Sequence, residues 1–291
     1  MLLFSAFVAG SFALGSRVAN DLEPAALNAV RFWIAAAIMG LVAWASTGFP
    51  RSAMCAPWRY VVLGGLFSIY FVLMFEGLKT APPVSAAAVF TLTPIVAAGF
   101  GWMLLRQVTT PRMAAALSIG AVGALWVIFR ADLAAFRAFE IGRGEVIYFF
   151  GCVSHALYTP MVRKLNRGEP AVLFTFGMLV AGAVFLTVAG WSDLRTTDWH
   201  NLRGLVWVTI LYLAVFASAA SFVCIQIGSL RLPSAKVMAY TYLTPSWVIL
   251  WEIALGGVVP SALVLVGVGL TVIALLLLLR NEEEPQAATQ S

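Results

Sequence analysis

Apolar positions along this chain run in long unbroken blocks rather than in alternation or in a single helical stripe. A helix that spans a bilayer needs about 20 mainly apolar residues. Ten blocks have that length: 1–19, 25–46, 57–78, 83–105, 111–130, 144–164, 170–190, 203–229, 233–255 and 260–280. Blocks apolar on every side predict helices surrounded by lipid. Turn and charge residues fill the breaks, as in Asn20-Asp21-Leu22-Glu23-Pro24, Ala81-Pro82-Pro83, Asn166-Arg167-Gly168-Glu169-Pro170 and Arg231-Leu232-Pro233. Proline near a helix start has no helical donor to lose there. The longest break, about 131–143, falls near the middle, with Arg130, Asp132, Arg137, Glu140 and Arg143 in or beside it. The first block begins at Met1 without a basic leader or a small-residue cleavage site, so it reads as a retained span. The tail from Asn281 is polar and predicted to be disordered.

The pattern also repeats. Pro82 and Pro233 stand 151 apart, and at that offset Gly77 meets Gly228 and Leu92-Thr93-Pro94 meets Leu243-Thr244-Pro245. An offset of 146 pairs Arg17 with Arg163 and Glu23-Pro24-Ala25 with Glu169-Pro170-Ala171. Matched triplets in one order indicate a duplication. The predicted fold is an all-α integral membrane protein of ten transmembrane helices. It divides into repeats at 1–135 and 140–280, with 281–291 as the tail. Five spans per copy is an odd number, so the second copy enters the membrane from the opposite side. The copies are then an inverted pair, a symmetry suited to alternating access.

Composition narrows the class. Of 291 residues, 62% are hydrophobic and 11% charged, against about 25% charged in soluble domains. Mean hydropathy is +0.93, an average that leaves no room for a large soluble domain. The net charge of +5 sits mostly in the breaks, which suits headgroups and topology rather than nucleic acid. With the N-terminus inside, ten Lys and Arg fall on the cytoplasmic side and eight opposite. That bias places both termini in the cytoplasm of an inner-membrane protein. Cys55, Cys152 and Cys224 are far apart and form no CxxC pair, so neither a disulfide framework nor a zinc site is indicated.

Several motifs resemble the drug/metabolite transporter superfamily in its ten-span EamA-type branch. They are Glu23-Pro24 followed by Arg31, Gly77-Leu78-Lys79 before Pro82, Leu92-Thr93-Pro94, and their counterparts in the second half. The likeness covers essentially the whole chain. It implies a secondary transporter of metabolites with a central cavity lined by spans one, three, four, six, eight and nine. The aromatic-rich central spans look similar to the aromatic amino acid exporter branch. After the fourth and ninth spans the family commonly carries an acidic residue, whereas this chain has Arg106-Gln107 and Gly256-Gly257. No role for that acid carries over.

Charged residues inside spans are costly and are candidates for function. Glu252 and Glu76 are the candidate proton sites; for Glu76 an interface ion pair with Lys79 is the competing reading. Arg31, in the first turns of the second span, is expected to snorkel or cap backbone. His155 lies mid-span with Tyr158 on the same face. It is either satisfied within the bundle or faces the cavity. Tyr240, Thr244 and Trp247 follow one face of the ninth span, Tyr70 lies in the third, and Phe90 and Thr93 lie mid-span in the fourth. If they converge they form a stacking and cation–π box; a core or lipid-facing stripe is the alternative. Gln226 is a polar candidate in the eighth span, and Pro94 and Pro245 are candidate hinges.

The function expected is export of amino acids, aromatic ones among them, or of related amphipathic metabolites. A cationic drug or a nucleotide sugar is the alternative substrate. The first would want a membrane carboxylate and the second several basic residues in the cavity, and both are scarce. The sequence contains no HExxH, no paired carboxylates and no phosphate loop, which argues against an enzyme or an ATP-driven pump. The expected partners are a small-molecule substrate and the lipid bilayer, with no cofactor and no metal. The chain is expected to act as a monomer, a dimer being left open. Few intramembrane acids favour facilitated diffusion over proton antiport.

Overall fold

The computed structural model describes residues 1–129, 131–134, 141–257 and 260–279. Arg130, Arg137, Glu140, Arg280 and the tail 281–291 lie outside the described residues, so the expectations about them stay at the level of sequence. The described residues are helical, with no strand among them. In chain order the main helices are α1 Leu2–Val18, α2 Pro24–Ser46, α3 Trp58–Leu78, α4 Pro83–Phe90, α5 Thr93–Leu105, α6 Pro111–Ile128, α7 Arg143–Leu165 and α8 Ala171–Ala189. They continue with α9 Gly204–Ala214, α10 Ser221–Arg231, α11 Ser234–Ala239, α12 Thr244–Ala254 and α13 Ala262–Leu279. Pro24, Pro83 and Pro111 each begin a helix, where the missing N–H is one of the unpaired donors of the first turn.

Seven helical stretches among the described residues are long and apolar enough to cross a membrane: α2, α3, α4 joined to α5, α6, α8, α9 through α10, and α13. The other three expected spans are helical but differ in kind. Helix α1 is short, at 17 residues. Helix α7 carries Arg143, Glu145, His155, Arg163 and Lys164 along its length. The ninth block is broken into α11, a tight 3₁₀ turn Tyr240–Leu243 and α12. Large apolar side chains such as Leu41, Trp44, Met103, Val188 and Leu263 stay exposed on the outside of the bundle. In water such a surface would be costly; in lipid it is the ordinary exterior.

Packing follows a crossed plan. Helix α2 lies on α8, and α6 on α13. Helix α3 packs on α7, while α1 packs on the continuous stretch from α9 to α10. Helix α5 packs on α11, and α4 on α12. Glycines allow the closest crossings. A Cβ on Gly64 would stand 2.6 Å from the Gly182 nitrogen and 2.7 Å from the Met178 carbonyl oxygen, and one on Gly123 would stand 2.6 Å from the Gly267 carbonyl oxygen. Backbone atoms cannot yield to a side chain, so these positions demand hydrogen.

Two breaks lie before the candidate hinges. Pro94 is the second residue of α5 and Pro245 the second of α12, so each follows an interruption instead of kinking a continuous helix. Proline at 94 has no N–H for the carbonyl of Phe90. The Thr93 hydroxyl donates to that oxygen at 2.5 Å. The carbonyl that Pro94 leaves without a helical donor is therefore met by a side chain. A third irregularity is the π-helical stretch Val215–Ala220 between α9 and α10, which falls on the run of small residues there.

Candidate functional site

His155 sits at the centre of the bundle, 2% exposed, among rings from three helices. Its imidazole stacks on Tyr70 of α3 at 4.5 Å and on Phe90 of α4 at 5.2 Å, and meets Phe67 edge-on at 5.2 Å. One turn along α7, Tyr158 lies edge-on to Phe67 at 4.0 Å. Phe222 of α10 closes the group against Phe67 and Phe71, at 4.2 and 5.8 Å. Phe12 of α1 packs against Phe90 and Tyr148. Offset and edge-on pairs of this kind are each worth about 0.5–1.5 kcal/mol beyond burial.

Polar atoms thread this apolar group. The Tyr70 and Tyr148 hydroxyls share a hydrogen bond of 3.0 Å. Gln226 Nε2 donates to the Tyr158 hydroxyl at 2.9 Å, and that hydroxyl donates to Met178 Sδ. Both His155 ring nitrogens and Gln226 Oε1 are buried without a hydrogen-bond partner in the protein. Each such atom costs about 1–3 kcal/mol. A fold that keeps three of them in one cluster has polar positions to offer a ligand.

The structure thus brings His155, Tyr158, Tyr70, Phe90 and Gln226 together. Thr93 adjoins Phe90, but its hydroxyl is taken by the Phe90 carbonyl. The ninth-span residues take other neighbours: Trp247 Nε1 donates to Ser5 Oγ of α1 at 3.2 Å, while Thr244 is buried and Tyr240 half-buried. The two candidate carboxylates are both ion-paired. Glu252 holds Arg17 at 2.7 Å, and Glu76 holds Lys79 at 2.9 Å.

One residue departs from its sequence reading. Arg31 neither snorkels nor caps backbone. It is fully buried, and its Nε, Nη1 and Nη2 have no hydrogen-bond partner in the protein. Its guanidinium lies 3.7 Å from the centroid of Phe71, with Phe32 at 5.3 Å and Phe75 at 6.0 Å. A desolvated cation–π contact gains about 2 kcal/mol, whereas a buried ion without a counter-charge costs several. The rings alone do not balance the charge. A signal was present in the sequence: Arg31 is the only charged residue of α2, with Asn28 one turn earlier on the same face.

Ion pairs flank the site at both ends of α3. At the Lys79 end, Arg17 binds Glu252, Lys79 binds Glu23 and Arg203 binds Asp21. A polar cavity of about 480 Å³ opens there, lined by Asn20, Asp21, Glu23, Lys79, Asp193 and Asp198 among others. A buried apolar cluster containing Leu22, Leu27 and Phe75 adjoins it. At the other end, Arg59 binds Glu169 at 2.6 Å and donates to the Leu165 carbonyl at 2.8 Å. Burial pushes the Glu169 carboxyl upward, but the hydrogen bonds from Arg59 and from backbone N–H groups, with the Arg59 charge, together hold the group below its ordinary range.

Comparison with known proteins agrees with this architecture. The chain matches the EamA-like transporter family over residues 1–129 and 142–280. It is 27% identical over 278 residues to a Bacillus subtilis (strain 168) protein named "Uncharacterized transporter YyaM", covering 92% of this chain and 90% of that one. It is 26% identical over 265 residues to a protein of Ancylobacter novellus named "Aromatic amino acid exporter YddG", covering 90% of each. One crystal structure shares the fold, with a TM-score of 0.72 at 23% identity over 97% of this chain and 98% of the other. The apolar helices and the transporter relatives mark a multi-pass membrane protein. With the family match extending over most of its length, the chain belongs to the EamA-like transporter family.

Proposed function

We propose that this transporter is a carrier, not an enzyme, that exports amino acids, aromatic ones foremost, by alternating access at the His155 site. One observation carries the reading: a buried cluster of rings from both halves of the sequence, holding polar atoms without protein partners, inside the bundle. Rings stack on rings with little cost in desolvated charge. The Ancylobacter relative named an aromatic amino acid exporter supports the same substrate class.

The transport cycle rocks two inverted five-helix halves, 1–135 and 140–280, about this site. Support comes from the crossed plan, in which α3 on α7 answers the α9–α10 stretch on α1. Thr93, Tyr240, Thr244 and Trp247 border the cavity in other conformations of the cycle, and the breaks before Pro94 and Pro245 serve as hinges. Both termini lie in the cytoplasm of the inner membrane, and the unit is a monomer. Because Glu76 and Glu252 are ion-paired, the cycle is facilitated exchange without a carried proton.

Purified protein in liposomes should accumulate labelled phenylalanine or tryptophan by counterflow. Failure to move any amino acid under any imposed gradient rejects the substrate class. Uphill uptake driven by a pH gradient alone rejects facilitated exchange.

A further inference from the structure

Arg31 lies seven residues inside the start of α2, about two turns from the helix end. It is enclosed on all sides, and none of its three nitrogens meets a protein acceptor. No ion pair of Arg31 is found among the described residues, and the acids at the Lys79 end are committed to other cations: Glu23 and Glu76 to Lys79, Glu252 to Arg17, Asp21 to Arg203. A guanidinium stays charged, so a counter-charge inside the bundle has to come from a bound molecule.

The position of Arg31 says which molecule. Its guanidinium lies on Phe71, Phe71 touches Tyr70 at 4.5 Å, and Tyr70 stacks on His155 at 4.5 Å. Guanidinium and imidazole therefore stand at the two ends of one aromatic shelf. Asn28, one turn before Arg31, donates to the Phe71 carbonyl at 3.4 Å and ties α2 to that shelf. The guanidinium fork matches a carboxylate with two parallel N–H bonds, which a lysine cannot reproduce.

We propose that Arg31 is the anchor for the substrate's carboxylate, with the apolar group of the substrate lying along the Phe71–Tyr70 shelf toward His155. This rests on the amino acid reading above and sharpens it. The ligand class becomes an organic carboxylate bearing a ring or a bulky apolar group, and amines lacking the acid are rejected.

Direct binding to the purified full chain in nanodiscs tests it, using matched compounds: phenylalanine against phenethylamine, tryptophan against tryptamine, leucine against isopentylamine, and 3-phenylpropanoate as an acid without an amine. The acids should bind about 100-fold or more tightly than the matched amines, the scale set by breaking a buried charge pair. Arg31→Gln should lose that preference by weakening the acids alone, and Arg31→Lys should keep only part of it. A wild-type protein that binds the amines as well as the acids, or binds no carboxylate of the panel, overturns the proposal. A folded Arg31→Gln protein that still prefers acids overturns it too. If Arg31→Gln does not fold, the wild-type pairs and Arg31→Lys decide. Arg31-dependent binding of 3-phenylpropanoate without transport of any amino acid would reject the amino acid reading and leave the anchor in place.

Discussion

His155 offers two things to its surroundings, a flat face and two nitrogens, and they can be separated by substitution. Phenylalanine keeps the face that stacks on Tyr70 and Phe90 and removes the nitrogens. His155→Phe should therefore melt close to the wild type yet lower kcat/KM for amino acid counterflow by about tenfold, the effect of one lost hydrogen bond. His155→Ala should lower both melting temperature and transport. Equal transport by His155→Phe would show that the nitrogens do not meet substrate. Glu169 gives a pH signature. Its folded pKa lies below its unfolded one, so its pair with Arg59 adds stability above the ordinary carboxylate pKa. That stability is lost as pH falls through the folded value. Melting temperature should drop below about pH 4 in the wild type, and Glu169→Gln should flatten that drop. At this scale, pairs on one helix were readable from sequence, because spacing alone puts His155 and Tyr158 on one face. For Arg31 the distance from the helix end says nothing about whether it points to lipid or to the centre, and only Asn28 on the same face hinted at the centre.

Helix crossings depend on positions that hydropathy does not rank. Gly64 and Gly65 are neighbours in sequence and look alike, yet only Gly64 faces the backbone of α8. Gly64→Leu should destabilise the protein by about 1–3 kcal/mol or more through overpacking. Gly65→Ala meets nothing within 4 Å and should be neutral, or stabilising by up to about 1 kcal/mol through helix propensity. Thermal unfolding of the two variants in one detergent checks the contrast; equal losses would refute this account of the crossing. The long apolar elements were legible because lipid asks for length and apolarity, and both are written locally. The breaks before Pro94 and Pro245 were legible as irregularities but not in form. Their form depends on which side chain, such as the Thr93 hydroxyl, replaces the missing donor.

For the molecule as a whole, the five spans per half read from the sequence would fix the relation of the two ends. Cytoplasmic and periplasmic reporters fused in turn to residues 1 and 291 should both give the cytoplasmic signal. Opposite signals would rule out ten spans. Composition made the membrane plain, and matched triplets suggested the duplication. Which rings converge was beyond the sequence, because convergence depends on how each helix is rotated about its axis. The ion pairs add one more property. Arg59 and Lys79 stand 20 residues apart on the α3 numbering, roughly 30 Å along a helix axis; Lys79 belongs to a set of pairs at its end, and Arg59 pairs with Glu169 at the other. In the proposed cycle, opening either end means pulling opposite charges apart. Partly exposed charges are screened by salt, with a Debye length of about 8 Å at 0.15 M. In the proposed cycle these pairs act as an electrostatic brake at each end, and ionic strength sets how hard it grips at the Lys79 end, whereas the buried Arg59–Glu169 pair is little screened. Raising salt on the side facing the Lys79 end should quicken exchange several-fold, and Glu252→Gln with Asp21→Asn should weaken that dependence, the Lys79 pairs with Glu23 and Glu76 keeping the rest.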